Sequence, residues 1–282
     1  MRHGAWIEAA DWAALTPEQR HAALVHASDQ MSADPGGHVF ALESAAAVWG
    51  LPRIESWPPY VTVLAAGPRT RGSRLLNVHV GAPATPVTLR GARVTGVART
   101  VVDLARTGSF VSALAAADHA LRHGLCTRGD LVAEARAVRA RVRGRPTAQL
   151  VVELADGSAM SAGESLSRGQ MFLLNLPRPR LQVEVEDDLG LVGVADFGWP
   201  GVVGEFDGRT KYGLDRVPAG VDPSEVLWRE KQREDRMRRR SRVARWIWAD
   251  ALHARRMVAI LAEVGIRPQP RSTWLDLAPR SA

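Results

Sequence analysis

The chain is poor in cysteine, has no long apolar run and carries almost no histidine in its second half. One cysteine, Cys126, excludes an intrachain disulfide and every zinc site that needs two or more thiolates, and it reads as a small buried residue. No run approaches the roughly 18 to 20 apolar residues of a membrane span. A composition of 46% hydrophobic and 24% charged residues is ordinary for a globular protein. The opening Met1-Arg2-His3-Gly4-Ala5-Trp6-Ile7-Glu8 has no apolar signal core, and Glu8 and Asp11 argue against a transit peptide. Cytoplasmic residence, with no membrane partner, is the expectation. Of eight histidines, His253 alone lies beyond residue 124, so histidine chemistry has little to draw on downstream. His119 and His123 are spaced four apart in a helical stretch and could share a metal, but no third ligand is in view, and a structural pair is the plain reading.

With 282 residues the chain is long for one small domain and comfortable for two. Thr16-Pro17-Glu18-Gln19 has the form of a capping box that opens a helix to about Met31, and Glu43 to Trp49 is a short helix ended by Gly50-Leu51-Pro52. Strands are expected at 60–64, 76–80 and 87–94, then helices at 98–105, 110–124, 130–141 and 147–155. Asp156-Gly157-Ser158 marks a boundary between domains 1–157 and 158–282. A helix at 161–175, strands at 181–185, 191–197 and 202–207, a long helix at 223–240, a strand at 243–248 and a helix at 252–264 follow. The fold class is α/β in the broad sense, α+β in detail: a small sheet with a helical bundle, then an α-β-β-β-α-β core.

The formal charge of +7 is concentrated: nine basic and three acidic residues between Arg229 and Arg245 give a net of +6. A concentrated basic helix suggests a polyanion, and Arg229, Arg233, Arg236, Arg238, Arg239 and Arg240 are the candidate nucleic-acid-binding residues. A solvated arginine-rich helix is the alternative.

Just upstream, Val192 to Phe197 and Val202 to Gly208 carry acids inside apolar runs. A turn at Trp199-Pro200-Gly201 makes them a hairpin with Asp196 opposite Glu205, and Asp207 two residues along on the same face. Like charges placed so require a divalent metal, basic partners or raised pKa values. Hard oxygen ligands suit magnesium or manganese, and Lys211 or Lys231 could supply a point charge to a phosphate. Helical spacing puts Lys231 and Arg238 on one face of the long helix, able to reach the site. Glu164, in the first turn of its helix, is a further candidate ligand. The alternative is a salt-bridge network in which Asp196, Glu205 and Asp207 pair with Lys211, Lys231 or Arg233. Trp228, Trp246 and Trp248 lie near these elements and read as core rather than as base-stacking surfaces.

Ser161-Ala162-Gly163-Glu164-Ser165, Asp196-Phe197-Gly198-Trp199-Pro200, Glu205-Phe206-Asp207-Gly208-Arg209-Thr210-Lys211-Tyr212 and Trp228 to Asp235 together resemble the very-short-patch-repair-like branch of the PD-(D/E)XK nuclease superfamily, found in many actinobacterial proteins. The resemblance covers roughly residues 158 to 265. It implies a metal-dependent DNA endonuclease, or a nuclease-derived DNA-binding protein, with Asp196 and Glu205 at the acidic metal positions and Glu164 as the helix acid. Asp207 stands where the superfamily's lysine is expected, so Lys211 or Lys231 would take that role from another position.

Ser44 to Pro52, Val61-Thr62-Val63, Val78-His79 and Ala98 to Ala105 resemble the AbiEi-type antitoxin-like proteins of type IV toxin-antitoxin systems, over about residues 38 to 130. That implies a non-catalytic antitoxin or transcriptional regulator with a cognate toxin protein as partner. Members carry a winged helix-turn-helix before this segment; about 35 residues precede it here, so a truncated or missing winged helix is expected. Arg99 and Asp103, four apart on a helix, read as a local ion pair worth a few tenths of a kcal/mol, roughly 0.2–0.5.

Overall fold

The computed structural model describes residues 4–32, 37–65, 72–82, 85–208 and 223–276. It is an α+β structure that divides into two compact units, Met1–Gly157 and Ser158–Ala282.

Unit 1 opens with α1 (Ala9–Ala14), α2 (Pro17–Gln30) and α3 (Leu42–Trp49). The capping box is formed as read: Thr16 Oγ1 accepts from the Gln19 amide and the Gln19 side chain accepts from the Thr16 amide. Gly50, at φ 74°, ends α3 in the left-handed conformation that favours glycine. Then come β1 (Val61–Ala65), β2 (Leu76–Val80), β3 (Pro86–Leu89) and β4 (Ala92–Thr95). Strands β1 and β2 are parallel, β3 and β4 antiparallel, and Phe40 bridges the two pairs through Val63 and Val94. The single strand expected over 87–94 is in fact a hairpin. Arg90 at φ 50° and Gly91 at φ 84° both take left-handed conformations, the pattern of a two-residue turn, and an arginine at the first position hid it.

Helices α4 (Val97–Thr107), α5 (Phe110–Arg122), α6 (Arg128–Ala137) and α7 (Arg145–Leu154) complete the unit. Val101, Val102, Ala116, Ala120, Leu131, Ala148 and Val151 form their buried core. Gly144, at φ 79°, lies so close to the end of α4 that a Cβ there would fall 2.2 Å from the Arg106 carbonyl oxygen. The Arg99–Asp103 pair is more than a local one: Asp103 is buried and also bound by Arg106. The His119 and His123 rings lie 4.1 Å apart, tilted by 36°, and the described residues include no group of three or more His, Cys, Asp or Glu fit to hold a metal. Cys126 is half-buried, which pushes its thiol up to about 11 and keeps it protonated at neutral pH.

Unit 2 contains α8 (Ala162–Leu173), β5 (Arg180–Asp187), β6 (Gly190–Trp199), β7 (Val202–Asp207), α9 (Pro223–Arg240), β8 (Arg242–Ile247), α10 (Trp248–Leu252) and α11 (Ala254–Glu263). The helix expected over 252–264 is broken at His253, whose φ of −110° and ψ of 87° are not helical. The sheet runs β5-β6-β7-β8, with antiparallel pairs except β7 and β8, which are parallel and joined by α9. Gly201, at φ 69°, closes the β6–β7 hairpin, with Phe197 opposite Gly204 and Trp199 opposite Val202. Small residues admit large ones here: a Cβ on Gly204 would meet the Trp246 ring at 2.7 Å, and one on Gly163 would meet the Phe206 ring at 2.0 Å. Trp246 is buried, and its indole N–H donates to Ser167 Oγ at 2.8 Å. Trp248 packs edge-on against Phe206, whereas Trp228 is 61% exposed, so the core reading holds for the first two and fails for the third. Among the described residues no helix is long and apolar enough to cross a membrane.

Candidate nucleic-acid and metal site

The β6–β7 ladder runs from Trp199 opposite Val202 to Phe197 opposite Gly204, and Asp196 and Glu205 are the next residue of each strand. Asp196 Oδ2 accepts from the Phe206 amide at 2.8 Å, an interaction that ties the carboxylate to the neighbouring strand. On the other side of β6, Leu181 pairs with Phe197 and Val183 with Ala195, which sets Gln182 across from Asp196. Gln182 has a left-handed backbone, φ 49°, and its amide donates to Glu164 Oε2 at 3.0 Å and, more distantly, to Asp196 Oδ1 at 3.5 Å. Gln182 thus links two of the expected acids.

Glu164 is held from its own helix start as well. Its Oε1 accepts from Ser161 Oγ at 2.9 Å, its Oε2 from the Met160 amide at 2.9 Å, and Ser161 in turn caps α8 by accepting from the Glu164 amide. Burial raises the pKa of Glu164, and the charge of Asp196 adds to the rise. Burial raises that of Asp196 too, and Glu205 adds to it, while the Phe206 amide and Gln182 oppose it. Glu164, Asp196 and Glu205 therefore influence one another electrostatically, a grouping with Glu164 where the sequence reading had Asp207 as its third converging acid.

Glu205 is matched by cations. Its Oε1 accepts from Arg233 Nη2 at 3.0 Å, and its Oε2 from Arg245 Nε at 2.7 Å and Nη2 at 2.6 Å. Arg245 reaches Glu234 as well, at 3.3 Å, and Glu234 holds Arg238 at 2.6 Å. Of the cations the sequence offered, Arg233 binds Glu205, as the salt-bridge alternative had it, whereas Lys231 is exposed on α9 and Arg238 is spent on Glu234. Arg245, on β8 beside Glu205 in the parallel ladder, was missed. Its signal was the basic residue directly across from Glu205, visible only once the β7–β8 register is known. Asp207, two residues along β7, is exposed at the strand end. Lys211 and the side chain of Arg229 lie outside the described residues.

Helix α9 turns one face to the sheet. Met237 is fully buried among Val185, Val192, Ala195 and Val203. Arg233, Arg236 and Arg240, at its i−4, i−1 and i+3 positions, flank it and meet acids of the sheet. Arg236 binds Asp187 through a two-point fork, Nε to Oδ2 at 2.7 Å and Nη2 to Oδ1 at 2.6 Å, and holds that carboxyl down at about 2. Arg240 pairs with Asp188. Of the arginines expected to bind nucleic acid, Arg233 and Arg236 are therefore internal partners, whereas Arg240 is exposed in a surface pair with Asp188. Trp228, Lys231, Arg238, Arg239 and Arg242 are exposed.

The donor set matches magnesium or manganese in kind, since the three acids offer hard oxygens. It does not match in arrangement. Both oxygens of Glu205 are taken by guanidiniums, and the described residues contain no cluster of three ligands fit to hold a metal.

Comparison with known proteins gives two matches of the same extent: the uncharacterized proteins MT2308 and Rv2248, from two strains of Mycobacterium tuberculosis. Each is 33% identical over 199 residues, covering 70% of this chain and 70% of the relative. No protein-family model and no solved structure matches the chain.

Proposed function

The chain belongs to the same family as these two mycobacterial proteins, and we propose that its C-terminal unit is a nuclease-derived domain that holds the DNA backbone without cutting it. One observation carries this reading: the strand carboxylate that would hold the metal, Glu205, is neutralised by Arg233 and Arg245. A carboxylate so paired stabilises the sheet and helix, and it is not available to a divalent ion. Meanwhile the outer face of α9 presents Trp228, Lys231 and Arg239 to solvent, with Arg242 exposed at the start of β8 beyond it, cations with one aromatic ring, suited to sugar-phosphate. The resemblance of the first unit to AbiEi-type antitoxins extends the proposal: the whole chain is a non-catalytic regulator, resident in the cytoplasm, whose N-terminal unit engages a toxin protein.

Convergence of Glu164, Asp196 and Glu205 favours a second reading, a magnesium- or manganese-dependent endonuclease. That reading requires Arg233 and Arg245 to release Glu205 when DNA arrives. The two are separated by incubating purified protein with supercoiled plasmid and labelled duplex, with and without 5–10 mM magnesium or manganese, a range of roughly that order being ample for weak sites. Duplex binding without nicking is the expected outcome. Nicking that disappears in Asp196→Ala would establish the endonuclease instead.

A further inference from the structure

A cavity of about 800 Å³ opens in unit 1 between the end of β2, the start of α4 and the end of α6. Three arginines, Arg99, Arg106 and Arg139, stand on its wall beside Glu134, and Val80, Val138 and Val142 give it an apolar side. Small-molecule sites commonly occupy roughly 300–1,000 Å³ and combine such an apolar lining with a few fixed polar groups.

Two of the guanidiniums are held in place from behind. Asp103, buried on α4, accepts Arg99 Nε at 2.5 Å and Arg106 Nη1 at 2.8 Å. One carboxylate between two arginines leaves a positive charge uncompensated, and it fixes both planar forks before any ligand arrives. Arg139 adds a second positive charge and Glu134 removes one, so the wall as a whole is cationic. Gly96, the N-cap of α4, also lines the cavity; that helix start has no side-chain cap and no acid in its first turn.

Among the residues of this wall, Arg106 has a buried nitrogen, Nε, with no hydrogen-bond partner among the described residues. Buried donors are almost always satisfied, so an unpaired one on a guanidinium of this wall is unusual.

We propose that this cavity binds a small organic phosphate of nucleotide size. Its phosphate lies on the forks of Arg99 and Arg106 at the start of α4, Arg139 closes over it, and its organic part packs on Val80, Val138 and Val142. A multiply charged phosphate suits several guanidiniums and a helix start better than a single carboxylate does. A nucleic-acid backbone is the poorer fit, because the Arg99 and Arg106 side chains are only 16% and 17% exposed, recessed from the surface that a duplex could touch. The inference concerns unit 1 alone and is independent of the reading of unit 2.

The test uses the full chain, with calorimetric titration and thermal unfolding in ADP, inorganic pyrophosphate, adenosine and a short duplex DNA. ADP should bind and raise the Tm, pyrophosphate should bind more weakly, and adenosine should have no effect. Arg139→Glu, an exposed position, should leave the unliganded Tm unchanged and weaken ADP at least tenfold, and Arg106→Lys should weaken it similarly. Absence of binding by both ADP and pyrophosphate would overturn the proposal. So would ADP affinity unchanged in Arg139→Glu, or a response to duplex alone. Pyrophosphate binding as tightly as ADP would overturn the organic half of it.

Discussion

Gln182 is the residue on which the acidic cluster turns. A left-handed φ costs a non-glycine residue on the order of 1–3 kcal/mol, and here it aims one amide at Glu164 and Asp196 together. Even so, both acids hold their protons more tightly in the folded chain than in the unfolded one. Between the ordinary carboxylate range and those raised values the folded state carries the extra protons, so stability falls as pH rises through that window. Asp187 works in the opposite sense: held down to about 2 by Arg236, it contributes stability above the ordinary aspartate value, and that contribution is lost as pH falls towards 2. Asp196→Asn keeps an oxygen to accept the Phe206 amide and removes a charge facing Glu205. It should melt higher than the wild type at pH 7, with the difference shrinking by pH 4, in paired thermal unfolding scans. An equal shift at both pH values would mean that charge at Asp196 is not what limits stability.

At the scale of elements, α9 carries two different kinds of arginine. Arg233, Arg236 and Arg240 neutralise Glu205, Asp187 and Asp188 around the buried Met237, and they bind the helix to the sheet. Met237→Ala should cost about 2–5 kcal/mol in denaturant titration, the range for removing a large apolar side chain from a packed core. Lys231 and Arg239 point outward. If the outer face holds DNA, Lys231→Ala and Arg239→Ala should each lower the slope of log affinity against log salt by about 0.9, the release of one counterion, whereas Arg236→Ala should leave the slope unchanged. A slope altered by Arg236→Ala and not by the outward pair would place the DNA elsewhere. This division revises the meaning of the concentrated charge. Much of the net +6 between Arg229 and Arg245 offsets acids on the sheet, so the strip left for a polyanion is narrower than the count of basic residues suggested.

For the whole molecule, each unit has a core of its own: Val101, Leu131 and Val151 among the helices of the first, Ala195, Val203 and Met237 in the second. Ser158–Ala282 expressed alone should therefore unfold cooperatively and give a dispersed NMR spectrum, and Met1–Gly157 likewise; a fragment that stays unfolded would show that its core depends on the other unit. What the sequence determined by itself was local or periodic. It set the Thr16 capping box, the glycine end of α3, the alternation of β6 and β7 and the turn at Gly201, since each depends on residues a few positions apart. That is why the hairpin that carries Asp196 and Glu205 was legible before any coordinates. Pairing across long stretches of chain was decided only by the tertiary structure. The parallel alignment of β7 with β8 brings Arg245 to Glu205 across 40 positions, and the docking of α9 brings Arg236 to Asp187 across 49. Both ion pairs join side chains that no local spacing relates, so the sequence could point to the acids, and to Arg233 among their possible partners, but not to Arg245 at Glu205 or Arg236 at Asp187.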